Sequence, residues 1–235
     1  MMVRIGNFFF HYRNGLFPLL YLLLFLNGPA AFPDQRLALL IGVLVAMAGQ
    51  ILRGVTVGLD YIVRGGRNRQ VYAERLVQGG LFAHCRNPLY VGNYMILVGV
   101  GIAANSLLFL AIGLPFFLFA YWAIIAAEEA FLRGKFGEEF VTYCAQVNRL
   151  LPSLSGLSQT LDGMRFNWRR LLSAEYGSAY IWMAAIILAS LKNLWFGGQR
   201  DIHNPYVWML WLSLVLVSVA YLVARFLKKC GRLDD

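Results

Sequence analysis

The sequence predicts an all-α, polytopic membrane bundle of about six transmembrane helices. Two observations carry this. Of the 235 residues, 59% are hydrophobic and only 14% charged, against about 45–50% apolar and 25% charged in a soluble domain. The apolar residues also gather into six stretches separated by short polar segments, and at about 20 residues per crossing a chain of this length holds six spans and little else. The same numbers exclude a soluble globular enzyme. With 7 Pro and 3 Cys, and 23 Gly that show no three-residue period, disordered, disulfide-framed and collagen-like chains are excluded as well.

Taken in order, the first stretch is Gly15–Phe32. It is longer than the apolar core of a secretory leader, so a retained span is expected there rather than a cleaved segment. The second is Leu37–Leu59. The third, Tyr90–Ala104, is short and extends backwards to Pro88, which suits the first turn of a helix. Only Asn105 and Ser106 separate it from the fourth, Leu107–Ile125, so these two form a tight helical hairpin. The fourth continues through Ala126–Lys135, which carries Glu128 and Glu129 out of the lipid. Ala179–Phe196 and Tyr206–Leu227 complete the set.

Of the 21 Lys and Arg residues, all but Arg36, Lys192 and Arg200 fall on one side of this six-span arrangement, with Arg53 counted among the majority. Basic residues collect in cytoplasmic segments, so both termini are expected inside, in a bacterial inner membrane. The net charge of +9 then reports topology and calls for no nucleic-acid partner. Cys85, Cys144 and Cys230 form no pair at metal or redox spacing, and no metal site is expected.

Polar chemistry is concentrated in two inner loops, Asp60–Arg86 and Phe131–Ser178. The run His84 to Asn93 crosses from the first loop into the third span. On composition it reads as an interfacial anchor, with Arg86 reaching phosphates, Pro88 opening the helix and Tyr90 in the aromatic belt. Glu128 and Glu129 are adjacent, so on a helix they point about 100° apart. One can face the bundle while the other faces water. An inward carboxylate needs a partner: a salt bridge from Glu128 to Arg86 or Arg149, or a cationic ligand.

The order of these pieces narrows the alternatives. Leu76-Val77-x-Gly-Gly, Arg-Asn-Pro-x-Tyr-x-Gly (Arg86–Gly92), a helical hairpin, Glu-Glu-x-x-Leu (Glu128–Leu132), Phe-Gly-x-x-Phe-x-x-Tyr (Phe136–Tyr143) and Val-x-Arg-x-x-Pro (Val147–Pro152) follow one another. Together they resemble the isoprenylcysteine carboxyl methyltransferase and phospholipid methyltransferase superfamily. The resemblance covers roughly 63–152. It divides the chain into two N-terminal helices (1–62), a cofactor-binding core (63–152), and a connector with two further helices (153–235).

The resemblance implies an integral membrane methyltransferase that uses S-adenosylmethionine and acts on a lipid-like acceptor. Carried over, the cofactor pocket holds Leu76, Val77, Phe82, Asn87, Pro88, Leu89, Tyr90 and Glu128, with Glu74 and Arg75 just before it. Arg149 and Arg86 are the candidates for orienting the acceptor. The residue types suit the task, since a sulfonium cation, an ammonium, a carboxylate and an adenine ask for an anion such as Glu128, helix-start N–H groups and aromatic walls. Methyl transfer from an activated donor rests on positioning. Two positions depart from the pattern. Asn87 replaces the usual His, and Ile124 stands where prenylcysteine members carry an Arg, which turns the expected acceptor away from prenylcysteine.

Two other readings are compatible with the residues. One is a membrane reductase of the sterol-reductase type, whose nicotinamide 2′-phosphate would meet Arg64-Gly-Gly-Arg-Asn-Arg69. The other is a nonenzymatic transport or scaffold protein in which Arg and Glu seal helix ends. Arg165, Phe166, Trp168, Arg169 and Arg170 would suit a helix lying on an anionic leaflet.

Overall fold

The computed structural model describes residues 1–59, 71–197 and 204–233. The described residues form helices joined by non-helical segments, with no strand among them and one isolated bridge between Ala30 and Ser106. The loop Arg64–Arg69, invoked above for a 2′-phosphate, lies outside them.

α1 spans Met2–Tyr21 and continues as a 3₁₀ turn over Leu22–Phe25. It therefore begins and ends earlier than the expected first span. Gly6, Phe9, Phe10, Arg13 and Phe17 recur at helical spacing. Phe9 and Phe10 pack with Ala120, Ala123 and Ile124 of α4, and Gly6 fits against the Ala123 carbonyl, where a larger residue would collide. Packing of this face, rather than uniform apolarity, sets where α1 begins.

α2 is Gln35–Leu59, started by Asp34, whose carboxylate accepts the Arg36 and Leu37 amides at 2.8 and 3.1 Å. α3 is Pro88–Ala103, with the proline in its first turn as the sequence indicates. Small residues let these two helices approach closely: a Cβ on Gly49 would lie 2.6 Å from the Gly92 carbonyl oxygen, and one on Gly99 would lie 2.5 Å from that of Gly42.

The hairpin turn falls at the expected place. Asn105 takes the left-handed conformation (φ 51°), which Asn tolerates. Its side chain accepts the Phe32 amide at 2.7 Å and donates to the Phe32 carbonyl at 2.9 Å. A π-helical turn over Phe109–Gly113 leads into α4, Leu114–Phe136, which runs past Ile125 as expected. The turn is tight but the helices diverge: α3 packs chiefly on α2, and α4 on α1. Space opens between the two pairs.

Gly137 (φ 54°) turns the chain into α5, Glu138–Gln146, and a short α6 covers Leu157–Asp162. α7, Trp168–Phe196, starts at an Asn167 cap, so Trp168, Arg169 and Arg170 form its first turn instead of a separate surface helix. It is fastened to the bundle near both ends, by Arg53 with Glu175 and by Asn193 donating to the Ala104 carbonyl at 2.9 Å. α8, Pro205–Lys229, buries little but Leu210 and presents Trp208, Trp211, Leu212, Leu216 and Phe226 outward.

Among the described residues four stretches are long and apolar enough to cross a membrane: α2, Phe109–Phe136, α7 and α8. The other two expected spans are helices as well. α3, with 16 residues, is about 24 Å long against a hydrocarbon core of roughly 30 Å, and α1 carries Arg4 and Arg13.

Candidate functional site

The space between the α2–α3 and α1–α4 pairs is a cavity of about 1580 Å³, walled by α1, α3, α4 and α7 and bordered by the segment 71–77. Ten of the twelve residues singled out from the sequence line it: Glu74, Arg75, Leu76, Val77, Phe82, Arg86, Asn87, Leu89, Tyr90 and Glu128. Pro88 is buried and does not line it. Arg149 also stands off the wall.

Each part is held by contacts that the motifs provide. The segment 71–77 is tied to α4 and α5 where Lys135 donates to the Ala73 carbonyl and Gln78 to the Glu139 carboxylate at 2.9 Å. Phe82, in a 3₁₀ turn over Gly80–Ala83, is fixed by the Tyr143 hydroxyl donating to its carbonyl at 2.7 Å. That makes Tyr143 of the Phe-Gly motif a support for the pocket wall. Burial pushes the Tyr143 phenol and the Cys85 thiol up, so both are neutral at pH 7.

Residues 84–87 pair with 148–153. The Arg86 amide donates to Asn148 and the Ser153 amide to His84, both at 2.9 Å, and the Asn87 side chain donates to the Arg149 carbonyl at 3.1 Å. His84 joins Ser153 and Thr160 through its two ring nitrogens at 2.8 and 2.9 Å. The Arg-Asn-Pro and Val-x-Arg-x-x-Pro motifs are thus one structural unit. It delivers Arg149 to α4.

At α4 the adjacent carboxylates separate, with a correction to the expected pairing. The arginines close on Glu129, not Glu128: Arg149 forms a two-nitrogen ion pair with it, and Arg86 Nη1 lies 3.6 Å away. Nor does Glu129 face water, its side chain being 14% exposed. Glu128 instead accepts the Tyr90 hydroxyl at 2.9 Å in the cavity wall. Arg149 also stacks on Trp122, 4.9 Å from the ring centroid. Arg86 Nε is buried with no hydrogen-bond partner among the described residues.

The helix start offers less to an anion than expected. Pro88 has no N–H, and the Tyr90 and Val91 amides return to the Asn87 carbonyl at 3.0 and 3.1 Å.

Two features escaped the sequence reading. Arg53, grouped with the cytoplasmic basic residues, is inside α2 and 2% exposed. It makes a bidentate pair with Glu175 of α7 at 2.9 and 3.0 Å and also bonds Asn93 and Ser178. Gln50 donates to Glu175 at 2.9 Å and accepts from Trp182 at 3.0 Å. The available signal was an Arg and a Gln three residues apart within an apolar span. The second feature is α1, whose Phe10, Arg13, Phe17 and Tyr21 line the cavity. Among the described residues no three His, Cys, Asp or Glu side chains gather where a metal ion could be held.

The model of the phospholipid methyltransferase family matches residues 37–139. Among curated proteins the chain is similar to the cobalt-zinc-cadmium resistance protein CzcN of Cupriavidus metallidurans, 36% identical over 80 residues, or 34% of this chain and 37% of that protein. It is also similar to the nickel-cobalt-cadmium resistance protein NccN of Alcaligenes xylosoxydans xylosoxydans, 35% identical over 83 residues, or 35% of this chain and 38% of the relative. The chain thus spans well under half the length of these relatives. No solved structure matches. The matched segment takes in α2 from Leu37 onward, α3, α4 and the Glu128–Glu129 pair, and over these residues the chain is similar to the phospholipid methyltransferase family, part of the superfamily of membrane methyltransferases that also includes the isoprenylcysteine carboxyl methyltransferases.

Proposed function

We propose that the protein is an integral membrane methyltransferase that takes its methyl group from S-adenosylmethionine and transfers it to a lipid-like acceptor. One observation carries the reading: within the family segment, the carboxylate of Glu128, held by Tyr90, faces a cavity whose wall also contains residues 74–77. S-adenosylmethionine, when bound, supplies a methyl group already activated by a sulfonium.

The residues present fit that group. Glu128 offers an anion for its cationic portion, and Tyr90 holds the carboxylate in place. Leu76, Val77 and Phe82 supply apolar and aromatic surface for a purine, with Asn87 and Leu89 at the helix start beside them. Arg86 lines the wall, and its unpartnered Nε suits an acceptor's polar group. Arg149 acts as a positioning residue, fixing Glu129 and through it Arg86. An apolar limb of the cavity along α7, with Ile181, Ala184, Ala185 and Leu188, suits the chain of an amphiphile and excludes water from the transfer.

We place both termini and the polar loops on the cytoplasmic side of the inner membrane, following the basic residues. The deciding experiment is calorimetric titration of detergent-purified protein with S-adenosylhomocysteine, which requires no knowledge of the acceptor. Saturable micromolar binding is expected. A folded sample that ignores it but binds NADPH would transfer the site to the reductase reading.

A further inference from the structure

The cavity's charged groups are mostly satisfied by one another. Arg53 is neutralised by Glu175, Arg86 stands beside Glu129, and Lys228 donates to the Ser173 carbonyl at 2.7 Å. Arg13 differs. It lines the cavity from α1 with its guanidinium 4.1 Å from the centre of the Phe10 ring; the Glu128 carboxylate is near enough to feel its charge, but among the described residues no carboxylate lies within ion-pair distance of it. Phe10, its perch, is 4% exposed and wedged into the cluster of Ala120, Ala123 and Ile124, against which Tyr90 also packs. A guanidinium over an aromatic face still has N–H donors to offer, and these match the two oxygens of a carboxylate or phosphate.

We propose that Arg13 is an anion-binding residue of the cavity, taking a carboxylate or phosphate group of a bound ligand. α1 lies outside the matched family segment, so this cation is an addition to it. The anion has two possible sources: the amino-acid end of the nucleotide, an assignment that rests on the function proposed above, or an anionic amphiphile, which does not.

The test compares wild type, Arg13→Gln and Arg13→Lys, each shown by thermal unfolding in detergent to keep the wild-type fold. Each is titrated with S-adenosylhomocysteine and its decarboxylated analogue, and with oleate and oleyl alcohol in nonionic micelles. We expect Arg13→Gln to weaken at least one anionic probe tenfold or more, to leave the matching uncharged probe unaffected, and Arg13→Lys to recover part of the loss. Loss confined to S-adenosylhomocysteine assigns the anion to the nucleotide, and loss confined to oleate assigns it to the amphiphile. Equal binding of both anions by wild type and Arg13→Gln overturns the proposal, as does parallel weakening of charged and uncharged probes, or wild-type protein that binds neither anion. Wild-type protein that binds oleate but not S-adenosylhomocysteine refutes the cofactor reading while leaving Arg13 to be judged by oleate.

Discussion

Removing Glu175 from the Arg53 pair should destabilise the protein far more than removing both partners. The two side chains are 3% and 4% exposed and joined by two parallel N–H···O bonds of 2.9 and 3.0 Å. Glu175→Leu would leave the guanidinium buried with Asn93 and Ser178 as neutral partners, and breaking such a pair from one side costs about 3–5 kcal/mol. For a chain of this size, each kcal/mol shifts the unfolding temperature by roughly 2–4 °C, so the expected drop is about 6–20 °C. Arg53→Met combined with Glu175→Leu removes both charges and keeps comparable volume, and should recover most of the loss. Thermal unfolding in a single detergent at fixed protein concentration, followed by tryptophan fluorescence, reads both variants. A Glu175→Leu protein as stable as wild type, or a double variant no better than the single, would refute the claim that the pair is held by mutual charge compensation.

Other consequences are open to direct measurement. Glu128→Gln should weaken S-adenosylhomocysteine binding by about 1–3 kcal/mol, and Tyr90→Phe, which frees the carboxylate from its 2.9 Å hydrogen bond, should weaken it less; unchanged calorimetric affinity in a folded Glu128→Gln protein would remove Glu128 from the site. Cys230 is exposed while Cys85 is 1% exposed with its thiol pushed up by burial, so a maleimide at neutral pH should label Cys230 in native protein and Cys85 only after denaturation. Equal labelling rates would contradict the packing of residues 84–87 on 148–153. Gly99→Leu should separate α2 from α3, because the new side chain meets the backbone of Gly42 and Ala46; a loss of at least 1–3 kcal/mol is expected from the clash, and wild-type stability would show that the helices do not touch there.

How much of this was legible depended on the range of the interaction. Local signals were reliable: Pro88 opens α3, Asn105 turns the hairpin, and the run from Ala126 to Lys135 stays helical. Ten of the twelve selected residues also share one cavity. The failures lie where position depends on a partner distant in sequence. Arg53 and Glu175 are 122 residues apart, and although Gln50 and Arg53 within an apolar span hint at a buried polar site, nothing near Arg53 names the partner that keeps it there. The choice between Glu128 and Glu129 depends on the rotation of α4 and on where the 148–153 segment lands, which is set by its pairing with His84 and Arg86. α1 was misplaced because total apolarity was weighed above the spacing of Gly6, Phe9, Phe10 and Phe17.

The buried pair also bears on what the last third of the chain does. The matched segment 37–139 contains Arg53, Asn93 and Gln50, yet the carboxylate that balances Arg53 and the Ser178 hydroxyl beside it come from α7, beyond that segment. With α7 absent, the segment would hold an uncompensated guanidinium at a depth where an unpaired charge is costly, and the cavity would lose the wall formed by Gly177, Ile181 and Ala184. α7 therefore completes both the electrostatics of α2 and the enclosure of the site. α8 differs in kind, since it packs on α7 through Tyr221 against Tyr176 and Tyr180, with ring centroids 5.4 and 4.6 Å apart, and leaves most of its surface outward. It reaches the cavity at Lys228, whose ammonium donates to the Ser173 carbonyl of α7, and otherwise acts on it by holding α7 in place, so its loss should loosen the α7 wall before it disturbs the Glu128 side.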